Sequence, residues 1–227
     1  QTNVYSARLA QDFVAQYGQV NNIVKLNIGW SHNSLDSLLL PTSGSLQSVS
    51  SEIAVPGSDL QYYKLTYLLG RYWAITENLS FKAKGELGYG AAYGATDELP
   101  FYKNYFAGGS STVRGFRSRS LGPKDSLAPY DPIGGNRRVL GNMEFLFPFP
   151  GQSRENKSMR LSLFSDGGMV YGHGEQVDLG QLRYSVGLAF NWYSPVGPLS
   201  FSYAIPMNDK PGDRTESFQF TLGVPLR

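Results

Sequence analysis

From Val24 onward the chain alternates apolar and polar residues with a period of two. Val24, Leu26, Ile28 and Trp30 are interleaved with Lys25, Asn27, Gly29 and Ser31. Val49, Ile53 and Val55 share one face of residues 45–55, and residues 63–75 form a third such segment. In the fourth, Leu79, Phe81, Ala83, Leu87 and Tyr89 face one way, and Ser80, Lys82, Lys84 and Glu86 face the other. Further segments cover 139–147, 159–171, 182–194, 199–207 and 217–224. The last three carry unbroken apolar faces: Tyr184/Val186/Leu188/Phe190/Trp192, Leu199/Phe201/Tyr203/Ile205 and Phe218/Phe220/Leu222/Val224. Period-two alternation is the signature of a strand with two unlike faces. One helix is predicted, over 6–17, where Leu9, Phe13 and Tyr17 recur every four residues and Gly18 stands where a C-cap belongs.

The nine predicted strands are mostly about 9–13 residues long, against ~5–6 in soluble proteins and ~9–11 for strands that cross a bilayer. Short turns such as 76–78 and 194–198 alternate with longer loops at 56–62, 91–138, 172–181 and 208–216. That is the layout of a transmembrane antiparallel β-barrel. A soluble β-sandwich also alternates, but its faces bury a packed core of Val, Ile and Leu. Here the apolar faces carry Trp30, Tyr63, Tyr89, Tyr184, Trp192 and Tyr203 near strand ends, as an interfacial girdle requires. The opposite faces carry Lys82, Lys84, Glu86, Glu144, Arg160 and Asp166, which suit a watery interior better than a dry core.

Strand parity adds a constraint. With the short turns on one side, the first and ninth strands enter from the same side and would meet parallel on closure. Bacterial barrels normally have an even count. Nine strands therefore read as part of a larger barrel, as eight that close without the first, or as a sheet that pairs with a second copy through its edges.

Composition narrows the chemistry. Charged residues are 17% and aromatics 14%, with 26 glycines, a strand-rich balance. The net charge of +2 offers no global attraction for nucleic acid, and the absence of cysteine excludes disulfides, thiolate metal sites and cysteine catalysis. No signal peptide is legible within the 227 residues. His32 and His173 are far apart, Ser165–Gly168 lacks the spacing of a calcium or catalytic site, and Gly108–Thr112 lacks the strand–loop–helix of a phosphate loop. No enzyme activity, cofactor or metal is expected. Asp36, Asp59, Asp97, Glu98 and Asp125 read as solvated loop charges.

The positive charge is concentrated in 107–125, AGGSSTVRGFRSRSLGPKD, with Arg114, Arg117, Arg119 and Lys124. On charge alone this is a solvated surface loop. Yet 101–116, FYKNYFAGGSSTVRGF, resembles the sixth extracellular loop of the BamA family, within the BamA/TamA superfamily of outer-membrane proteins. The resemblance continues in order through 41–44, 53–58, 134–136, 143–145, 164–166 and 194–203, over nearly the whole of 1–227. It implies the C-terminal part of a sixteen-stranded barrel, with 6–17 as an outer-loop helix and 91–138 as a long extracellular loop.

In that family the loop folds back inside the barrel and its arginine meets an acidic wall residue. Carried over, the loop contact comprises Val113, Arg114, Gly115 and Phe116, with Asp166 and Glu144 on inward faces. Arg114 can bridge both carboxylates, Gly115 permits close approach, and Phe116 wedges beside the contact. The loop is then a plug and brace, or a strut with no direct part in assembly. Phe218, Phe220 and Leu222 mark the C-terminal seam strand. The chain departs from the family in ending with Pro225-Leu226-Arg227 and no aromatic residue, so strand pairing is expected to stop near Val224.

The implied function is non-enzymatic insertion of β-barrel proteins into the bacterial outer membrane, as core subunit of a barrel-assembly machine. The implied partners are the lipid bilayer, unfolded outer-membrane proteins and the machine's lipoproteins, with an edge-paired dimer as a further option. A passive pore or a related translocator is the alternative. The fragment alone is expected to lack full activity.

Overall fold

The computed structural model describes residues 7–37, 40–126, 130–152, 158–195 and 197–223. Nine strands form one antiparallel sheet: β1 (Lys25–Asn33), β2 (Gly44–Ala54), β3 (Tyr62–Thr76), β4 (Leu79–Ala92), β6 (Arg137–Pro148), β7 (Met159–Tyr171), β8 (Arg183–Ser194), β9 (Gly197–Pro206) and β11 (Phe218–Leu222). Each pairs with the next in the order β1-β2-β3-β4-β6-β7-β8-β9-β11. Two short strands, β5 (Gly115–Phe116) and β10 (Thr215–Glu216), pair with each other apart from the sheet.

The predicted alternation is realised as an outward apolar face. Trp30, Tyr63, Tyr89, Tyr184, Trp192 and Tyr203 are all exposed, as are Leu26, Leu87, Met143, Leu163, Leu188 and Ile205. An apolar surface so continuous along a sheet is unstable in water and needs a covering phase. The inner face buries Glu144, Ser162, Asp166, Arg183, Ser185 and Gln219.

Among the described residues β1 and β11 stand at the sheet's two ends, so the option of strands two to nine closing as eight is not taken. The reason is volume. The segment between β4 and β6 lies on the inner face and reaches β4, β7, β8, β9 and β11. An eight-stranded barrel has room inside only for side chains. A sheet wrapped round a loop must curve more gently than an eight-stranded barrel allows.

The last strand forms within the segment predicted at 217–224. Phe218–Leu222 pairs with β9, and just before it, in what reads as loop 208–216, Thr215 and Glu216 pair with Phe116 and Gly115. Val224 and Pro225, where pairing was expected to end, lie outside the described residues.

Helix α1 (Ala7–Tyr17) forms as the four-residue spacing predicts; Ser6 lies outside the described residues. Gly18 closes it with φ +81° and an N–H donated to the Val14 carbonyl at 2.9 Å. Phe13, Tyr17 and Ile23 pack on Ala54, Leu60, Tyr62 and Leu99, and the Phe13 ring lies 5.5 Å from that of Phe101. Gln16 donates to Asp97 at 2.6 Å, while the Asp97 N–H donates to the Tyr17 hydroxyl at 3.0 Å. The helix is thus docked on the long-loop end of the sheet by one aromatic cluster. Phe13→Ala should undock it, at a cost below the ~3–5 kcal/mol of a fully buried Phe→Ala because Phe13 is half-buried. Limited proteolysis checks this: cleavage within 7–24 should quicken while cleavage elsewhere holds steady.

Candidate functional site

The sheet register builds the site. Lys82, Glu144, Phe164, Gly187 and Ala204 lie side by side across β4, β6, β7, β8 and β9. The adjoining row is Lys84, Asn142, Asp166, Ser185 and Pro206. Both rows face inward, and 113–116 lies over them. The Val113 side chain is fully buried with Phe116, Ala107, Leu121, Leu140 and Val170, a small apolar core between loop and wall.

Arg114 lies at the junction of the two rows. Its Nε donates to Asp166 Oδ2 at 2.6 Å and its Nη2 to Asp166 Oδ1 at 2.8 Å, the two-pronged geometry of a planar fork on a carboxylate. The same Nη2 stands 2.5 Å from Glu144 Oε1. The backbone N–H of Arg114 also donates to Asp166 Oδ2 at 3.0 Å, and its carbonyl accepts from Ser185 Oγ at 2.6 Å. Beneath it, the Phe164 ring centre is 3.4 Å from the guanidinium carbon, a cation–π contact. Burial would lower the Arg114 pKa. The hydrogen bond to Asp166 and the Glu144 charge outweigh that and hold it above the ordinary arginine value, so the group stays charged.

Glu144 is shared. On its other side Lys82 Nζ lies 3.4 Å from Oε2. Asn142 donates to Asp166 from the neighbouring strand. Arg114, Glu144 and Asp166 are 8%, 6% and 1% exposed, so these charges are compensated inside the structure, with no help from solvent.

Gly115 continues the path with φ +88°, a left-handed backbone that favours glycine, and a Cβ there would come 3.1 Å from Ala204 Cβ. The loop can approach β9 this closely only without a side chain. Phe116 does not wedge beside the arginine contact as expected. It points into the apolar core with Val113, and the aromatic partner of Arg114 is Phe164. Phe164 went unread in the sequence because an inward aromatic breaks the polar pattern of its face. Its legible signs were its place in the 164–166 resemblance and its even-number spacing with Ser162 and Asp166.

The remaining candidates fall elsewhere. Phe218, Phe220 and Leu222 are exposed on the outward face of β11, and that strand has no partner on its far edge among the described residues. Of the inward charges Lys82, Lys84 and Glu86 that a pore could use at its constriction, Lys82 joins Glu144 and Glu86 pairs with Arg138. Asp36, Asp59 and Asp97 are not merely solvated. Asp36 accepts from the Thr42 and Ser43 N–H groups, Asp59 from Asn22 N–H at 2.6 Å, and Asp97 from Gln16. His32 stacks on Trp30, and the described residues contain no cluster of three potential metal ligands.

At the other end of the inner face, Arg160 donates to the carbonyls of Pro41 at 2.8 Å and Leu40 at 2.7 Å. Leu40 and Pro41, in the connection between β1 and β2, are thereby tied to β7. Sequence reasoning missed this clamp, since backbone acceptors have no residue signature.

An inward-folded loop, braced by a buried arginine on the wall of a strand-rich membrane-type sheet, defines a class, and the sequence places the chain in it. The Omp85 superfamily domain matches residues 1–224, and the chain belongs to that superfamily. It is 37% identical to the outer membrane protein assembly factor BamA of Neisseria meningitidis serogroup B, over 94% of this chain and 31% of that protein. It is 27% identical to the sorting assembly machinery 50 kDa subunit of Saccharomyces cerevisiae, over 83% of this chain and 40% of that one. The crystal structure of BamA from Haemophilus ducreyi lacking POTRA domains 1–3 superposes with a TM-score of 0.83 at 31% identity, covering 96% of this chain and 47% of that one. The chain thus spans about a third of the length of the Neisseria relative.

Proposed function

We propose that this chain is the C-terminal part of an outer-membrane barrel that assembles other β-barrel proteins, acting without enzyme chemistry. The observation that carries the reading is the Arg114 brace, which holds the loop inside the sheet on Asp166 and Glu144. A passive pore needs an open path lined by available charges. Here the loop occupies the inner face, and Lys82, Glu86, Glu144 and Asp166 are each held in an ion pair. Where the seam of the whole barrel opens beside its last strand, the edge of β11 would offer what the interior does not. In hydrocarbon an unpaired backbone amide costs several kcal/mol, so an open strand edge at bilayer depth recruits a strand. Phe218, Phe220 and Leu222 would keep that edge in contact with lipid, the surface from which a client strand joins. The proposed partners are unfolded outer-membrane proteins, the bilayer of the bacterial outer membrane and, in the intact machine, its lipoproteins.

The test reconstitutes the full-length protein into sealed lipid vesicles and adds an unfolded client barrel. Protease-resistant client should accumulate several-fold faster than in protein-free vesicles, while the vesicles hold their ion gradient. A large steady conductance with no gain in client folding would sink the proposal in favour of a pore.

A further inference from the structure

β11 is the most weakly held strand of the sheet. It pairs with β9 at five positions, from Phe218↔Tyr203 to Leu222↔Leu199, whereas β8 pairs with β9 at ten. Yet its inner face is tied to the loop along its length. Gln219, 7% exposed, donates its Nε2 proton to the Phe116 carbonyl at 2.8 Å. Thr221 Oγ1 lies 3.0 Å from Ser110 Oγ. Immediately before it, Thr215 and Glu216 pair with Phe116 and Gly115, and the Arg117 N–H donates to the Arg214 carbonyl at 2.8 Å. The loop thus binds β11 two residues from the arginine that binds it to β6 and β7.

We propose that Gln219 and Thr221 are positioning residues: through loop 107–125 they hold β11 in the register at which its free edge accepts a client strand. This rests on the assembly reading above. The logic is preorganisation. A strand held to its neighbour at five positions frays readily once the seam on its other side opens, and a frayed edge presents no fixed row of donors and acceptors. The bonds from the loop fix β11 from inside, leaving its outer face and free edge available. Their inward placement also explains why the residue types alternate as they do. Gln219 and Thr221 face the loop, and Phe218, Phe220 and Leu222 face away.

These 227 residues hold no cysteine, so the engineered pair is the only thiol pair within them, and any cysteine elsewhere in the full-length protein is first replaced by serine. The experiment uses the full-length protein and three readouts: heat-modifiability of the protein itself, disulfide formation between Ser110→Cys and Thr221→Cys, and photo-cross-linking of a radiolabelled client strand to a probe at position 222. The Ser110→Cys/Thr221→Cys pair should oxidise readily. Gln219→Leu should stay heat-modifiable but lower client cross-linking about tenfold. Adding the oxidised cysteine pair to Gln219→Leu should restore most of the loss, because the covalent tie replaces the missing bond; reducing it should undo the rescue.

Undiminished cross-linking in Gln219→Leu would overturn the proposal. So would a loss of client cross-linking when the pair is oxidised in the otherwise unaltered chain, since the loop would then have to leave β11. If no client reaches position 222 even without substitutions, the assembly reading of this edge fails instead. The disulfide yield still reports whether the loop holds the strand.

Discussion

Arg114→Glu should abolish the folded, heat-modifiable form of the full-length protein, the largest single-residue loss expected in this chain. The site would then hold three carboxylates, two of them on strands that cannot move apart. Even Arg114→Ala should cost about 3–5 kcal/mol, the usual penalty for stranding buried charges by removing their partner. Asp166→Arg alone should be nearly as damaging, since it sets two guanidinium groups together. Combining Arg114→Glu with Asp166→Arg should recover part of the folded form. Recovery should be incomplete, for two structural reasons. Glu144 remains beside position 114, and the Arg114 N–H loses the Asp166 oxygen that accepts from it. A double-mutant cycle read by heat-modifiability measures the coupling. Strictly additive losses would mean that the two side chains do not meet.

Gly187→Val should be the second most damaging change, although residue 187 touches neither acid. It faces Phe164 across the β7–β8 ladder, and the Phe164 ring covers it. A Cβ at 187 would stand 2.2 Å from the Tyr203 carbonyl oxygen and 2.6 Å from the ring. Overpacking typically costs 1–3 kcal/mol, and a clash with backbone belongs at or above the top of that range. Displacing the ring also removes the surface on which the Arg114 guanidinium lies. A drop in unfolding midpoint should therefore appear already in Gly187→Ala. Shortening Phe164 to Leu in the same chain should recover part of it. An equal drop with and without Phe164→Leu would locate the conflict at the Tyr203 carbonyl and not at the ring.

The strands were legible because a bilayer leaves no compromise: one face meets hydrocarbon, the other does not, and the alternation records this residue by residue. Helix α1 was legible from Leu9, Phe13, Tyr17 and Gly18 for the same reason, a periodic face with a stop. Neither pattern contains register. That Lys82 lies opposite Glu144, and Asn142 opposite Asp166, depends on turn lengths that alternation does not encode. The part of Val113, Arg114 and Gly115 came from a resemblance, since on charge alone the loop read as solvated. Phe116 was expected beside the guanidinium, but the ring beneath it is that of Phe164, a placement only the fold decides. The short pairing inside 208–216 was invisible, because Thr215 and Glu216 pair with a loop over ninety residues away in sequence.

The attachments of loop 107–125 also have a mechanical meaning. On one side the load path runs through Arg114 into Asp166 on β7 and Glu144 on β6, and through Glu144 to Lys82 on β4. A pull on the loop is spread over three adjoining strands and must shear their ladders together. On the other side the same pull reaches β10 through Gly115 and Phe116 and β11 through the single bonds at Gln219 and Thr221, and is met one bond at a time. Hydrogen-bonded ladders are strong in shear and weak in peeling. Tension on this loop would therefore lift the final strand long before it disturbed the wall behind the arginine, and the junction at Ser217 is where that peeling would begin.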